Sequence, residues 1–158
     1  MNKLYSQYIK KYPNQKMFSF NTITNEQQRQ KFINDTQEWV AYNEYTDKTG
    51  EYTNNNIEIY DIDDDNEEYY IGSLNIEIAY TPPTSYTYKR QTYDSQAEYI
   101  SEPAKINYAD ITFTTTTNKT YPVHKEVFEH IVNAVETYIN DNVEPVDPEE
   151  EGWYDYEE

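Results

Sequence analysis

Cysteine is absent from this chain of 158 residues, and glycine occurs only three times. The first absence excludes a disulfide framework, a thiolate metal site and a cysteine nucleophile. The scarcity of glycine excludes the usual phosphate-binding loops, because those loops need glycines to let the backbone approach phosphate. No stretch approaches the roughly 20 apolar residues of a membrane span, and no signal peptide is recognisable after Met1. We therefore expect a cytoplasmic protein with no membrane association and no cofactor.

Basic residues are also scarce: 12 lysines and arginines stand against 30 acids, for a net charge of −18. Residues 51–68 hold eight acids and no base, and residues 144–158 hold another eight acids and no base. The remaining 14 acids nearly balance the 12 basic residues, so the charge is confined to two segments. Direct binding to nucleic acid is not expected, since phosphate contacts need clusters of lysine and arginine. The expected partner is instead an electropositive protein.

The first acidic segment lies in a predicted β-hairpin over residues 56–80. Two runs of alternating apolar residues, the pattern of half-buried strands, flank a turn that is almost entirely acidic. The alternating positions are Ile57, Ile59, Leu74, Ile76 and Ile78. We expect Asn66 to turn the chain at positive φ. The candidate partner-binding residues here are Asp61, Asp63, Asp64, Asp65, Glu67, Glu68, Tyr69 and Tyr70.

The pairing of acid with tyrosine suggests a binding role for this hairpin. Its carboxylates can occupy the places where phosphates would bind in a nucleic-acid channel, and the adjacent tyrosines can stack or hydrogen-bond where bases and sugars would lie. Tyrosine is abundant throughout, with 19 residues against 5 phenylalanines. The alternative interpretation is a solvated loop in a chain whose tyrosine content reflects an A/T-rich genome.

The second acidic segment forms a predicted tail. Pro145 and Pro148 break regular structure, and the segment has too few apolar residues to fold alone. We therefore expect a single domain over residues 1–142 and a tail over residues 143–158 that is disordered when free. The tail repeats the combination of acid and aromatic residues, and the alternative is that it is inert. Its candidate partner-binding residues are Glu149, Glu150, Glu151, Trp153 and Tyr154.

The remaining pattern predicts an α+β fold. Helical spacing of apolar residues predicts helices over residues 3–12, 25–43 and 122–140. A capping box at Thr24 should begin the second helix, and the third should have Pro122 in its first turn after a Thr120 cap. We expect an antiparallel sheet of four to five strands, with an N-terminal helical part and a C-terminal helix packed on the sheet.

Three finer features of the sheet are predicted. Alternation over residues 86–92 favours an edge strand, and a short strand should precede Pro103. The apolar parity changes between Tyr108 and Ile111, which indicates a β-bulge near Ala109 and Asp110.

No catalytic or metal-binding constellation is recognisable. A calcium loop counted from Asp61 would need glycine at its sixth position and glutamate at its twelfth, but Asn66 and Gly72 stand there. Weak cation binding by the acidic cluster remains the alternative to a solvated turn. His124 and His130 are expected to be ordinary surface histidines, and no serine lies in a nucleophile elbow. An enzyme is therefore not expected.

In size, in the segments DIDDDNEEYY and PEEEGWYDYEE, and in its wealth of Asn, Tyr, Lys and Ile, the chain resembles a class of small acidic inhibitors. These are the anti-CRISPR and DNA-mimic anti-restriction proteins of phages and mobile elements in low-GC bacteria. The resemblance implies a non-catalytic inhibitor that acts in the bacterial cytoplasm and binds a nuclease, either occluding its DNA-binding groove or holding its nuclease domain inactive. The near-neutral body departs from the most extreme DNA mimics, whose charge covers the whole surface. The runner-up is a phage or bacterial accessory protein, such as an immunity-type adaptor, that binds through apolar faces.

Overall fold

A five-stranded antiparallel sheet with the order β1-β2-β3-β6-β7 forms the centre of the fold. The computed structural model describes residues 2–13, 15–88 and 98–146. The strands are β1 (Tyr45–Thr46), β2 (Glu51–Ile62), β3 (Glu68–Thr81), β4 (Thr84–Tyr88), β5 (Glu98–Glu102), β6 (Lys105–Thr115) and β7 (Thr120–Pro122). The α-helices are α1 (Asn2–Ile9), α2 (Glu26–Asn34), α3 (Thr36–Ala41) and α4 (Lys125–Asn142). The predicted α+β fold, with a C-terminal helix packed on the sheet, is confirmed.

The hydrophobic core lies between the sheet and the helices. Helices α1 and α4 pack on β6, α2 packs on β2, and α3 packs on α4. The alternating apolar residues of β3 and the apolar stripe of α4 both face this layer, as their periods of 2 and 3.6 residues allow. Buried members are Leu74, Ile76, Ile78, Ile111, Phe113, Val127, Phe128, Ile131, Val135 and Ile139.

Two β-bulges bend the long hairpin of β2 and β3. Asn54 pairs with Ile76 and Ile57 pairs with Leu74, so β2 carries one extra residue between them, with Asn56 at φ 59°. The second bulge precedes Gly72, whose φ is 152° and whose missing Cβ would lie 2.5 Å from the ring of Phe113. The first bulge reverses the parity of β2, which brings Tyr52 and Asn54 to the same face as Ile59. Strict alternation alone could not predict this change.

The hydroxyl of Tyr8 forms hydrogen bonds at the edge of β6 where the pairing with β7 ends. Strand β7 pairs with β6 only from Thr112 to Thr114. Next to that ladder, the buried Tyr8 hydroxyl accepts a hydrogen bond from Val123 N at 2.8 Å and donates one to the carbonyl of Ile111. Burial raises the pKa of Tyr8 well above its ordinary value, so the hydroxyl stays protonated and can donate. Helix α1 is thereby tied to β6 and to the residue that follows β7.

The predicted bulge in β6 exists, but it lies earlier than expected. Ala79 pairs with Tyr108 while Tyr80 pairs with Ile106, so the extra residue is at Asn107. The strand predicted over residues 86–92 is also placed differently. Strand β4 pairs with β5 in a separate two-stranded sheet instead of forming an edge of the main sheet, and residues 89–97 lie outside the described range. The short strand predicted before Pro103 is β5.

The first two predicted helices were too long. Helix α1 ends at Ile9, and the predicted helix over residues 25–43 is divided at Asp35 into α2 and α3. The division turns Thr36 and Val40 into the core, whereas α2 buries no residue. The capping residue is Asn25, whose Oδ1 accepts from Gln28 N at 2.9 Å, and the predicted capping box at Thr24 is wrong.

The start of the last helix was also predicted too early. Residues Thr120–Pro122 form β7, so α4 begins at Lys125, and His124 is its N-cap with Nδ1 accepting from Glu126 N at 3.3 Å. The helix ends at Asn142.

The body of the protein continues past the boundary expected at residue 142. Val143 is buried, and Val146 makes two backbone hydrogen bonds at the start of β4. Its N–H donates to Pro83 O at 2.9 Å, and its carbonyl oxygen accepts from Ser85 N at 3.1 Å. These contacts correct the start of the predicted tail, because residues 143–146 pack on the body. In the described part of the chain, no helix is both long and apolar enough to cross a membrane.

Candidate partner-binding surface

The turn between β2 and β3 is built by two of its own residues. Asp63 Oδ1 accepts hydrogen bonds from Asp65 N at 3.0 Å and from Glu67 N at 2.9 Å. Asp63 N also donates to Glu67 O at 2.9 Å, and Asn66 has φ 64°, as its sequence position predicts. The acidic turn therefore has a defined conformation, in which Asp63 contributes to the turn as well as to its charge.

Asp61 belongs to the fold and not to the surface. It is only 1% exposed, and its carboxylate accepts from Thr24 N at 2.8 Å, Thr24 Oγ1 at 2.8 Å, Asn25 N at 3.1 Å and Ile62 N at 2.9 Å. Burial alone would raise the pKa of Asp61, but these hydrogen bonds, led by that of Thr24 N, outweigh it and lower the pKa below its ordinary value. Its assignment to the exposed partner-binding acids of the hairpin is corrected, because the carboxylate is buried and accepts its hydrogen bonds from the protein itself.

The other predicted acids of the hairpin are exposed. They are Asp63, Asp64, Asp65, Glu67 and Glu68, which we call the acidic tip. Within the described ranges, no lysine or arginine nitrogen lies within 4 Å of their carboxylates. The tip is therefore a cluster of like charges that the described part of the protein leaves unpaired, and its self-repulsion disfavours the isolated molecule.

The two predicted tyrosines point to opposite faces of β3. Tyr69 and Tyr70 are 44% and 42% exposed. Tyr70 packs against Tyr60 on the neighbouring strand, with ring centroids 5.7 Å apart, and Tyr60 donates to Glu58 Oε2 at 2.6 Å. Tyr69 lies on the helical side, with its hydroxyl 3.5 Å from Asp61 Oδ2. Partial burial and the nearby charge of Asp61 raise the pKa of Tyr69.

Further acids lie on the face of the sheet opposite the helices, which we call the outer face. Pairing places Glu77 beside Thr53 and Asp110, and Glu58 beside Ser73. The outer-face acids are Glu51, Glu58, Glu77 and Asp110. Our sequence-based site did not include them, although Glu58 and Glu77 alternate with buried isoleucines, and that alternation could have identified them.

We call the outer-face acids and the acidic tip together the acidic band. Four carboxylates on the face and five at the tip give nine. Along β3, the band extends from Ala79 to Glu68, or about 35 Å at about 3.3 Å per residue. A single DNA strand carries one charge per about 3.4 Å, and hence about ten over the same length. Only Glu68 and the four face acids lie within this length, because the other tip acids lie beyond Glu68 in the turn, so the band carries about half the linear charge density of one DNA strand.

Both histidines make structural contacts. His124 caps α4, while His130 is half-buried, with Nε2 2.8 Å from Thr36 Oγ1 and its ring edge-on to Phe20 at 5.6 Å. The expectation that His130 is an ordinary surface residue was wrong, because the break before α3 brings Thr36 to it. Among the described residues, no three His, Asp or Glu side chains are grouped so that they could hold a metal ion.

The predicted site residues of the tail cannot be placed. Glu149, Glu150, Glu151, Trp153 and Tyr154 lie outside the described residues. The structure therefore brings together the acidic tip, Tyr70 and the outer face, with Tyr69 on the other side of the strand.

No protein-family model matches the chain, and neither the comparison with curated proteins nor that with solved structures finds a match.

Proposed function

We propose that this protein is a non-catalytic inhibitor that binds an electropositive nucleic-acid-handling protein, with a CRISPR-Cas or restriction nuclease as the leading candidate. It would block DNA binding or cleavage by occupying the partner with its acidic band. The observation that carries this proposal is the acidic tip, whose five exposed carboxylates have no cationic partner among the described residues.

The physics of association supports a charged partner. An unpaired acidic surface raises the association rate toward a basic cleft and discriminates against partners of like charge. Because the turn conformation is set by Asp63 and Asn66, little ordering of the tip should be needed on binding.

The first test is to identify the partner. The full chain would be immobilised, a lysate of a low-GC Gram-positive host passed over it at low and moderate salt, and the nuclease activity of retained proteins assayed with and without added chain. Salt-sensitive retention of a nuclease that the chain inhibits would support the proposal. Salt-insensitive retention of a non-nuclease partner would favour the accessory or adaptor function instead.

The second test assigns binding to the acidic tip. The variant Asp64→Asn/Asp65→Asn/Glu67→Gln/Glu68→Gln removes four charges and keeps Asp63, which holds the turn. The control removes four exposed acids elsewhere, at Glu38, Glu44, Glu126 and Asp141. We expect affinity for the purified nuclease to fall at least tenfold in the tip variant and by less than threefold in the control. Equal losses in the two variants would mean that net charge, and not the tip, determines binding.

A further inference from the structure

A groove of about 220 Å³ opens at the base of the acidic hairpin, on the side of β3 that faces the helices. Its apolar and aromatic lining includes Met17, Ile71, Phe113 and Tyr121. Asp61 and Tyr69 also line it. The groove was not predicted from the sequence, because its residues come from five separate parts of the chain.

Beside its mostly apolar walls, the groove contains one carboxylate, Asp61, and one ammonium group, Lys16. Asp61 is a buried carboxylate whose Oδ2 lies 3.5 Å from the Tyr69 hydroxyl, and the exposed acid Asp63 stands two positions after it. The Tyr69 oxygen retains lone pairs that can accept a hydrogen bond from a ligand. An occupant that carries a cation at the end of an apolar stem would complement both properties.

One cation of the protein itself already lies against the aromatic wall of the groove. Lys16 lines the groove, and its Nζ lies 5.9 Å from the centroid of the Tyr121 ring. This distance is within the range of cation–π attraction. The aromatic wall is therefore accessible to a positively charged group.

We infer that the groove receives an arginine side chain of the partner. This inference rests on the proposed function, which supplies an electropositive partner. Guanidinium is favoured over ammonium because it is planar, stacks on aromatic rings and is more weakly hydrated. Interfaces concentrate binding energy where an anchor side chain fills a pocket, and arginine is among the commonest anchors. The acidic tip would then accelerate encounter, and the groove would lengthen the lifetime of the complex.

The inference can be tested without the partner. The probe is N-acetyl-arginine amide, titrated into the uniformly ¹⁵N-labelled full chain, with N-acetyl-norleucine amide as the uncharged control. We expect saturable shifts of the backbone amides of Ile71 and Tyr121, with a dissociation constant on the order of 1–10 mM for so small a ligand. The norleucine derivative should bind at least tenfold more weakly. Equal binding of the two probes, or no saturable shift at these residues, would overturn the inference.

Two adjacent tyrosines give a matched pair of variants. Tyr69→Ala should weaken binding of the arginine probe at least fivefold, while Tyr70→Ala, a change at a similarly exposed site on the opposite face, should leave it unchanged. Tyr69→Phe keeps the ring and shows how much of the loss belongs to the hydroxyl. Similar losses in the Tyr69→Ala and Tyr70→Ala variants would mean diffuse attraction to the hairpin and would overturn the inference.

The outcomes separate this inference from the proposed function. Inhibition of a nuclease without specific binding of the arginine probe would leave the inhibitor function standing and remove the groove from it. Specific binding of the probe with no nuclease partner would leave the groove as a cation site and remove the inhibitor function.

Discussion

Replacing Asp61 with asparagine should destabilise the protein far more than the same change at Asp64. Asp61 is buried and accepts hydrogen bonds from three backbone N–H groups and the Thr24 hydroxyl, whereas Asp64 is exposed. Asparagine keeps one acceptor oxygen but turns an NH₂ group toward donors. A hydrogen bond to a charged group contributes about 1.5–3 kcal/mol, and the remaining oxygen should compensate for part of the loss. We therefore expect the free energy of unfolding to fall by about 2–4 kcal/mol.

This loss can be measured by urea unfolding at neutral pH and by thermal melting. For a domain of this size, 1 kcal/mol corresponds to about 2–4 °C in the melting temperature, so Asp61→Asn should lower it by roughly 5–15 °C. The matched control Asp64→Asn should stay within about 0.5 kcal/mol of the natural chain. Equal stability of the two variants would refute the structural role assigned to the Asp61 carboxylate.

The difference in stability between Asp61→Asn and the natural chain should also depend on pH in a defined direction. The pKa of Asp61 is lowered in the folded state, so its ionised form contributes stability above the pKa of an unfolded aspartate, about 3.9. That contribution is lost as the pH falls through the lowered folded value. The deficit of Asp61→Asn relative to the natural chain should therefore be constant above about pH 5 and shrink in more acidic solution. A deficit that does not change with pH would mean that packing, and not charge, accounts for the loss.

Two further changes test the outer elements of the fold. Tyr8→Phe should lower the free energy of unfolding by about 1–3 kcal/mol, because it leaves the buried Val123 N–H and the Ile111 carbonyl without their shared partner. Urea unfolding would measure this loss, and an unchanged midpoint would contradict the bridging role of the hydroxyl. A chain ending at Asn142 should melt at a lower temperature than one ending at Val146, because it lacks the buried Val143 side chain and two backbone hydrogen bonds; equal melting would show that this segment adds no stability.

The parts of the fold that the sequence predicts are those set by local periodicity. The stripe of α4 and the alternation of β3 from Leu74 to Ile78 determine which faces are buried, because no bulge interrupts either run. Asn66 was predictable for the same reason, since positive φ is a local property of a short turn. The acidic tip could accordingly be located from the sequence.

The features that were missed depend on contacts between distant residues. Thr24 matches a capping pattern, but its hydroxyl donates to Asp61, 37 positions away, and Asn25 becomes the cap. The division before α3 follows from burying Thr36 beside His130, which no helical pattern reveals. Tertiary contacts also distinguish Asp61 from the tip acids. All of them are acids of one run in the sequence, and only the residues that the fold places beside Asp61 make it a buried residue.

Salt should have opposite effects on the free protein and on its complex. Neighbouring outward positions on one strand are about 7 Å apart, which is within the screening length of about 10 Å at 0.1 M salt but beyond the about 3 Å at 1 M. Raising the salt concentration should therefore relieve repulsion within the acidic band and stabilise the free chain, while it weakens attraction to a basic partner. The four-charge tip variant should show a smaller gain in melting temperature between 0.05 and 1 M salt than the natural chain, since part of the repulsion is already removed. An equal gain in both would mean that the tip charges do not repel one another appreciably, and the band would then store no electrostatic free energy for a partner to release.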